Sequence, residues 1–373
     1  MTGFVLTAGG TGGHLFPAEA LAGQLVRRGG EVHLFTDRRV DGFAADVPGV
    51  EVLQVRAGRL GGGPLRTIGG IVEMTIGVMQ ARRMLRQVEP AVVVGFGGYP
   101  SLPTMLAATQ LGFPTVIHEQ NAVLGRANRL LAKRVHRIAT AYGQTAGMGP
   151  AERGRAVHTG NPVRPAFLDL GGGSGYEPPD PGSPIELLVT GGSQGAHVFA
   201  EIVPAALALL PPQLRAALRV AQQARPEDID AVAEQYERIG IEAQVQGFFI
   251  DMPRWLKRAD LVICRSGAST IAELAAVGRP ALLVPYPFAA DDHQSANARA
   301  FANAGGGWVV PQASLSAPML ANRLAELLTD AAALRHAAAQ ARRFARDDAA
   351  ERLADLVLKT APNGRTLTAG RAA

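Results

Sequence analysis

Short apolar runs alternate along the chain with longer stretches whose apolar positions recur at the spacing of one helix face. In the first half, Phe4-Val5-Leu6, Glu31 to Phe35, Val50 to Val55, Ala91 to Phe96, Pro114 to Ile117 and Arg137 to Ala141 predict strands. The second half repeats the pattern with Ile185 to Val189, Leu218 to Ala221, Ala243 to Gln246, Leu261 to Cys264, Ala281 to Val284 and Trp308 to Val310. Such alternation predicts an α/β protein with parallel sheets and helices on both faces. Two glycine-rich turns, Ala8 to His14 and Thr190 to His197, each follow the first strand of a half and open a helical segment. Their glycines let backbone N–H groups close on an anionic group at the helix start. The pattern predicts two nucleotide-fold halves facing one another across a cleft that holds the active site.

The length of 373 residues suits two domains, each with its own core. The expected division is 1–163 and 164–342, with a C-terminal helix at about 343–358 able to pack back on the first domain. The polar stretch Gly171 to Gly182 predicts an exposed loop with the hinge close to it. Ala331 to Leu358 reads as one final helix, and the polar tail from Thr360 as disordered.

No N-terminal segment has the order of a secretion signal, and no apolar run approaches the roughly 18 residues that span a bilayer, so the expected compartment is the cytoplasm. The single cysteine, Cys264, lies in an apolar run and reads as a buried small hydrophobe. The formal charge of +5 raises the possibility of nucleic acid. Against it, only Lys133, Lys257 and Lys359 are lysines among 37 cationic residues, and no basic stripe carries interleaved aromatic residues. No nucleic-acid partner is expected.

Six motifs then occur in order: Gly9 to His14, Phe96-Gly97-Gly98-Tyr99-Pro100-Ser101, His118-Glu119-Gln120-Asn121, Gly160-Asn161-Pro162-Val163-Arg164, Gly191 to Ala196, and Cys264 to Glu273. Together they resemble the bacterial MurG family, whose members convert lipid I to lipid II in peptidoglycan synthesis. The resemblance implies the glycosyltransferase-B architecture of two Rossmann-like domains. It also implies UDP-GlcNAc as donor, held mainly by the second domain. The implied acceptor is lipid I, an undecaprenyl-linked substrate held mainly by the first. A peripheral enzyme on the cytoplasmic face of the inner membrane is expected, with no cofactor and no metal.

Site assignments combine this resemblance with the chemistry of each residue. Thr11, Gly12 and Gly13 leave bare backbone for a phosphate or sugar, and His14 is the candidate base, its alternative being a hydrogen bonder at the helix start. Ser193 and Gln194, at the second helix start, meet the charge of the departing diphosphate. The resemblance gives Arg164 the same anion. It carries Glu273 over to the ribose hydroxyls, Gln294 to the donor, and the helix start Ala268, Ser269, Thr270, Ile271 and Ala272 to the same ligand. Phe249 stands where the family often has an aliphatic residue whose backbone meets uracil. Glu119, a catalytic candidate, and Asn121, a binding one, follow a strand at the edge where ligands meet parallel sheets. Gly98, Tyr99 and Ser101 form a third turn assigned to the acceptor pyrophosphate. His197 replaces the family's usual arginine and receives no role. Asp228-Ile229-Asp230 is read as the acidic start of a helix far from any glycine turn.

Three rivals are weighed at this level, one of them a non-catalytic nucleotide-binding module, which six polar motifs converging on one cleft disfavour. A dinucleotide oxidoreductase fits Gly10-Thr11-Gly12 and Asp37, but Leu15 stands where the third glycine should be. A UDP-GlcNAc epimerase would share the two-domain fold without a lipid acceptor. Finally, Ile71, Met74, Val78, Met79 and Leu85 can share one helical face flanked by Arg66, Arg82, Arg83 and Arg86, which suits an anionic membrane surface or an ordinary core helix.

Overall fold

The structure, a computed structural model, describes residues 2–9, 12–37, 48–58, 63–171, 175–180, 182–192 and 195–362, with the backbone alone for 64–66. The chain divides into two compact units, one of Met1–Arg164 with the segment from Arg346 and one of Pro165–Ala345. In the first unit the elements are β1 Gly3–Thr7, α1 Gly12–Arg27, β2 Glu31–Thr36, β3 Val50–Gln54, α2 Pro64–Val88, β4 Val92–Gly95 and α3 Leu102–Leu111. They continue with β5 Thr115–Glu119, α4 Arg126–Leu131, β6 Arg137–Thr140, α5 Pro150–Arg153 and β7 Ala156–His158. The second unit has α6 Pro165–Gly171, β8 Ile185–Thr190, α7 His197–Ala208, α8 Pro212–Ala217, β9 Leu218–Gln223, α9 Ile229–Arg238 and β10 Glu242–Gln246. It ends with α10 Met252–Arg258, β11 Leu261–Cys264, α11 Ala268–Val277, β12 Ala281–Leu283, α12 His293–Asn303, β13 Gly307–Val309, α13 Ala317–Thr329 and α14 Ala331–Phe344, before α15 Ala349–Thr360 returns to the first unit.

Both sheets are wholly parallel, in the orders β3-β2-β1-β4-β5-β6-β7 and β10-β9-β8-β11-β12-β13. Each order reverses direction between its first strand and the neighbour reached by crossover, β1 beside β4 and β8 beside β11. At such a point the loops leaving the two strands diverge and open a crevice at their carboxyl ends. The glycine turns after β1 and β4 flank one reversal, and those after β8 and β11 flank the other.

Consecutive apolar residues in the central strands follow from helices on both faces. Phe4, Leu6, Val92 and Val94 face Leu15, Leu21 and Leu25 of α1 and Leu353 and Val357 of α15. Val5, Val93 and Ile117 face Leu85 of α2 and Met105 of α3. In the second unit Leu187, Val189 and Ile263 pack with Phe199 and Val203 of α7 and Leu320 and Leu324 of α13.

Four expectations change. The final helix is two helices, because Ala345 is extended (φ −61°, ψ 151°) and the chain leaves the second unit there. Uniform Ala/Arg/Leu periodicity on both sides hides that break. The stretch after Gly171 is not merely solvated: Tyr176 packs against the second core, its hydroxyl donates to the Asp260 carbonyl at 3.0 Å, and Arg279 lies 5.1 Å from its ring. The passage between units comes earlier, at Arg164-Pro165, where proline disfavours a helical residue before it. β7, three residues without an apolar run, left no sequence signal. Leu85 is fully buried, and Met74 and Val78 pack on the same core, so these three do not share an outward face with Ile71 and Met79, which are exposed. Cys264 is fully buried, and burial pushes its thiol up. From residue 363 the tail lies outside the described residues. No helix among the described residues is long and apolar enough to cross a membrane.

If α15 completes the first core, Leu353→Ala should destabilise that unit by about 2–5 kcal/mol, the usual cost of emptying a buried leucine site. Amide exchange in β1 and β4 should accelerate while β8 and β11 stay protected. Unchanged exchange in β1 and β4 would show α15 to be peripheral.

Candidate functional site

In the first unit two glycine turns meet. A Cβ at Gly9 would lie 2.8 Å from Cβ of Pro100, and one at Gly98 would lie 3.2 Å from Cδ2 of His14 and 3.3 Å from the Gly9 carbonyl oxygen. Gly97 and Gly98 both have positive φ, 83° and 70°, where side-chain-bearing residues are strained. His14 is half-buried near the start of α1, with Nδ1 3.1 Å from Oε1 of Gln120. Gly12 and Gly13 open the same helix, and Gly12 approaches the Phe16 ring too closely for a Cβ. Arg164 is brought here as well, its guanidinium 4.3 Å above the Phe16 ring.

The loop after β5 is organised by buried polar groups. Glu119 is 2% exposed; its Oε1 accepts from the Asn121 N–H (3.0 Å) and Nδ2 (3.1 Å), and its Oε2 from the Gly125 N–H (2.8 Å) and Asn128 Nδ2 (2.8 Å). A carboxylate offers about four lone-pair directions, and four donors fill them. Asn128 Nδ2 also donates to the His118 carbonyl at 3.1 Å. His118 is fully buried, and burial is the main cause that lowers its pKa to about 4, against the hydrogen bond with Gly160.

Sequence reasoning missed Gln120 and Asn128. Gln120 stood inside a quoted motif without a role. Asn128 lies within a helix, and nothing in its spacing marked it as a partner of Glu119. Ser101, expected in the acceptor pocket, is fully buried, and its hydroxyl donates to the Gly98 carbonyl at 2.9 Å, so it closes the turn. Tyr99 is half-buried and packs against the first core.

In the second unit, Gly191 has no room for a side chain, since a Cβ would lie 2.3 Å from the Ala196 nitrogen. Gly192 and Gly195 have φ of 80° and 67°, and the Gly195 N–H donates to the Gly192 carbonyl at 3.1 Å. The turn delivers α7 with Ala196 as its N-cap, whose methyl cannot accept from the helix's first N–H groups. Gly267 likewise precedes α11 without a capping side chain. Thr11, Ser193 and Gln194 lie outside the described residues.

Along α11, Ala268, Ser269, Thr270 and Ala272 are half-buried, whereas the Ile271 side chain is buried in the helix's inner face. Glu273 falls in the second turn, past the reach of the helix dipole's stabilisation of acids, so that effect does not account for a carboxylate here. Ser266 Oγ donates to the Gln294 carbonyl at 2.8 Å, and Gln294 Oε1 accepts from the Tyr286 N–H at 2.9 Å. That contact orients the Gln294 amide with its oxygen inward, toward the loop after β12. Phe249 is 1% exposed, its ring buried against Trp255 with centroids 5.1 Å apart, so its side chain does not face a ligand.

The acidic pair is not remote from the glycine turns. Asp228 Oδ1 lies 2.9 Å from Nδ1 of His197, the first residue of α7, and this hydrogen bond is the main cause that raises the His197 pKa. No group of three His, Cys, Asp or Glu among the described residues is placed to hold a metal ion.

The N-terminal domain model of glycosyltransferase family 28 matches residues 4–140, and its C-terminal domain model matches residues 186–353. A protein of Rhodospirillum centenum described as UDP-N-acetylglucosamine–N-acetylmuramyl-(pentapeptide) pyrophosphoryl-undecaprenol N-acetylglucosamine transferase is 54% identical over 368 residues. The match covers 98% of this chain and 97% of that protein. A Rhodospirillum rubrum protein with the same description is 55% identical over 360 residues, 95% of this chain and 91% of its own. The crystal structure of Acinetobacter baumannii MurG is similar with a TM-score of 0.77 and 30% identity, over 96% of this chain and all of that one. Both domain models match in order, and relatives more than half identical span nearly the whole length: the chain belongs to glycosyltransferase family 28 and, within it, to the MurG family of glycosyltransferase-B enzymes.

Proposed function

We propose that the chain transfers N-acetylglucosamine from UDP-GlcNAc to the C4 hydroxyl of MurNAc in undecaprenyl-pyrophosphoryl-MurNAc-pentapeptide, converting lipid I to lipid II with inversion at the anomeric carbon. The observation that carries the reading is the meeting of the Gly9 and Gly98 turns on His14 in a chain of this family. In the reaction, His14 removes the C4 hydroxyl proton, the oxygen forms the new bond to the anomeric carbon, and the bond to UDP breaks with its electron pair on the diphosphate. Arg164 and the backbone N–H groups at the starts of α1 and α7 meet that charge, together with Thr11, Ser193 and Gln194. Metal is not required, since these groups supply the positive potential.

Glu119, with four donors already on its oxygens, acts in this reading as the residue that holds Asn121 and the loop after β5 in place, and proton removal falls to His14. Donor binding belongs to the second unit. Glu273 accepts from the ribose hydroxyls, Gln294 donates from its amide nitrogen, and the Phe249 backbone meets the base. Acceptor pyrophosphate belongs to the Gly97-Gly98 turn beside Tyr99. The direct assay is incubation with radiolabelled UDP-GlcNAc and a lipid I analogue. A β(1→4)-linked disaccharide with released UDP is expected, and epimerised sugar nucleotide without acceptor turnover would replace the reading with the epimerase.

A kinetic split tests the roles. His14→Ala should lower kcat by about two to four orders of magnitude, the usual span for general base help, with UDP-GlcNAc affinity retained. Glu273→Ala should weaken UDP-GlcNAc binding by about 1.5–3 kcal/mol, as for hydrogen bonds to a charged group. Near-normal turnover in the first variant, or unchanged calorimetric affinity in the second, would remove the assignment concerned.

A lipid-linked acceptor stays in the bilayer, which supports a peripheral membrane position on the cytoplasmic face. Along α2, Ile68, Ile71, Val72 and Met79 are each more than half exposed, and Arg83 and Arg86 are exposed toward the end of the same helix. An apolar strip with flanking cations suits an anionic interface. Cosedimentation with anionic vesicles should be salt-sensitive and should weaken when Ile71 and Met79 become serine or when Arg83 and Arg86 become glutamine. Binding that ignores both changes would take the membrane contact away from α2.

A further inference from the structure

We propose that Gln120 is a positioning residue that holds His14 in the tautomer protonated on Nδ1, so that Nε2 carries the lone pair. This inference rests on His14 being the base. It starts from the amide of Gln120, which is 1% exposed and whose orientation the surroundings dictate. Its nitrogen lies 3.0 Å from the Phe96 carbonyl, 3.1 Å from the His118 carbonyl and 3.0 Å from Nδ1 of His118. Two of these three partners are carbonyl oxygens, which only accept. Turning the amide over would set oxygen against oxygen twice in a buried site, so the nitrogen points toward them and Oε1 points at His14.

His118 agrees with that orientation. Its Nε2 lies 3.0 Å from the Gly160 carbonyl, which again only accepts, so Nε2 bears the proton. Burial keeps this imidazole neutral, and its Nδ1 is therefore an acceptor for the Gln120 N–H. At the other end, Nδ1 of His14 sits 3.1 Å from Oε1 of Gln120, an acceptor without a proton to give. Which ring nitrogen of a histidine is protonated follows from the hydrogen bond the other one makes. Every bond in the series then runs one way: His14 to Gln120, Gln120 to His118, His118 to Gly160.

The lone-pair nitrogen lies on the side of the Gly98 turn, where a Cβ at Gly98 would come within 3.4 Å of Nε2. A glycine there leaves space beside the basic nitrogen. When Nε2 takes a proton, the Nδ1–H remains held by a neutral amide. The amide orients the ring without adding a negative charge that would trap the proton on it.

The test is nitrogen NMR on full-length protein labelled in histidine, with His14 assigned by its loss in His14→Ala and spectra taken where the ring is neutral. The wild type should show His14 protonated on Nδ1. Gln120→Met, which keeps the length and removes the acceptor, should shift His14 toward the Nε2-protonated form. In the same variant kcat should fall about 10- to 100-fold, the range for outer partners of functional imidazoles in metal sites, with KM for UDP-GlcNAc unchanged. A wild-type His14 protonated on Nε2 overturns the proposal even if the variant does not fold. So does a folded Gln120→Met enzyme that retains the Nδ1 tautomer or full kcat. Normal turnover in His14→Ala would instead remove the base assignment while leaving the tautomer signal as measured, so the two failures are read separately.

Discussion

The first unit is organised around a shortage of space at its topological reversal. β1 and β4 are neighbours, their outgoing loops leave in opposite directions, and Gly9 and Gly98 let those loops touch where any Cβ would strike Pro100, His14 or the opposing backbone. That close approach fixes the imidazole against a turn with positive φ. The loop after β5 supports it from the side through buried Gln120, His118, Glu119 and Asn128. Glycine at these positions carries a conformational cost in the unfolded chain, and the packed turns offset it with contacts that a larger residue would prevent.

The second unit uses the same topology with different chemistry. Its reversal lies between β8 and β11, and the residues there supply helix N-termini, a carboxylate in the second turn of α11 and an oriented amide on α12 rather than a titratable ring. Arg265, 7% exposed, donates to the Val284 and Pro285 carbonyls at 3.0 and 3.1 Å and so ties the turn after β11 to the loop after β12. Burial pushes its pKa down from the arginine value. One parallel-sheet plan thus presents a histidine ring in one unit and a carboxylate, an amide and helix N-termini in the other.

Much of this was legible in the sequence because buried parallel strands are apolar at consecutive positions and glycine turns stand out between them. Twelve of the thirteen strands follow the expected runs within a few residues, and β7 escaped because three residues with no apolar run carry no period. The break at Ala345 escaped for the opposite reason, since the same periodicity continues on both sides while the helices serve different cores. At the site, residue type pointed to His14 and the family resemblance to Glu273 and Gln294, but the partners of buried polar groups depend on contacts across long separations. Gln120 meets His14 from 106 positions away, and Asp228 meets His197 from 31. Glu119 illustrates the limit most clearly: its type suits catalysis, and only its four donors show how its lone pairs are used.

If the room left by Gly98 beside His14 governs the chemistry, a matched pair of substitutions measures it directly. Gly98 (φ 70°, ψ 156°) and Gly63 (φ 106°, ψ 165°) both lie in a backbone region essentially reserved for glycine, so an alanine at either position carries a comparable strain of about 1–3 kcal/mol. Only at Gly98 would the new Cβ meet His14, for nothing described lies within 4 Å of one at Gly63. Gly98→Ala should lose most of kcat while binding UDP-GlcNAc normally, and Gly63→Ala should keep kcat despite a comparable loss of stability. Equal kcat in the two variants would contradict that role for Gly98.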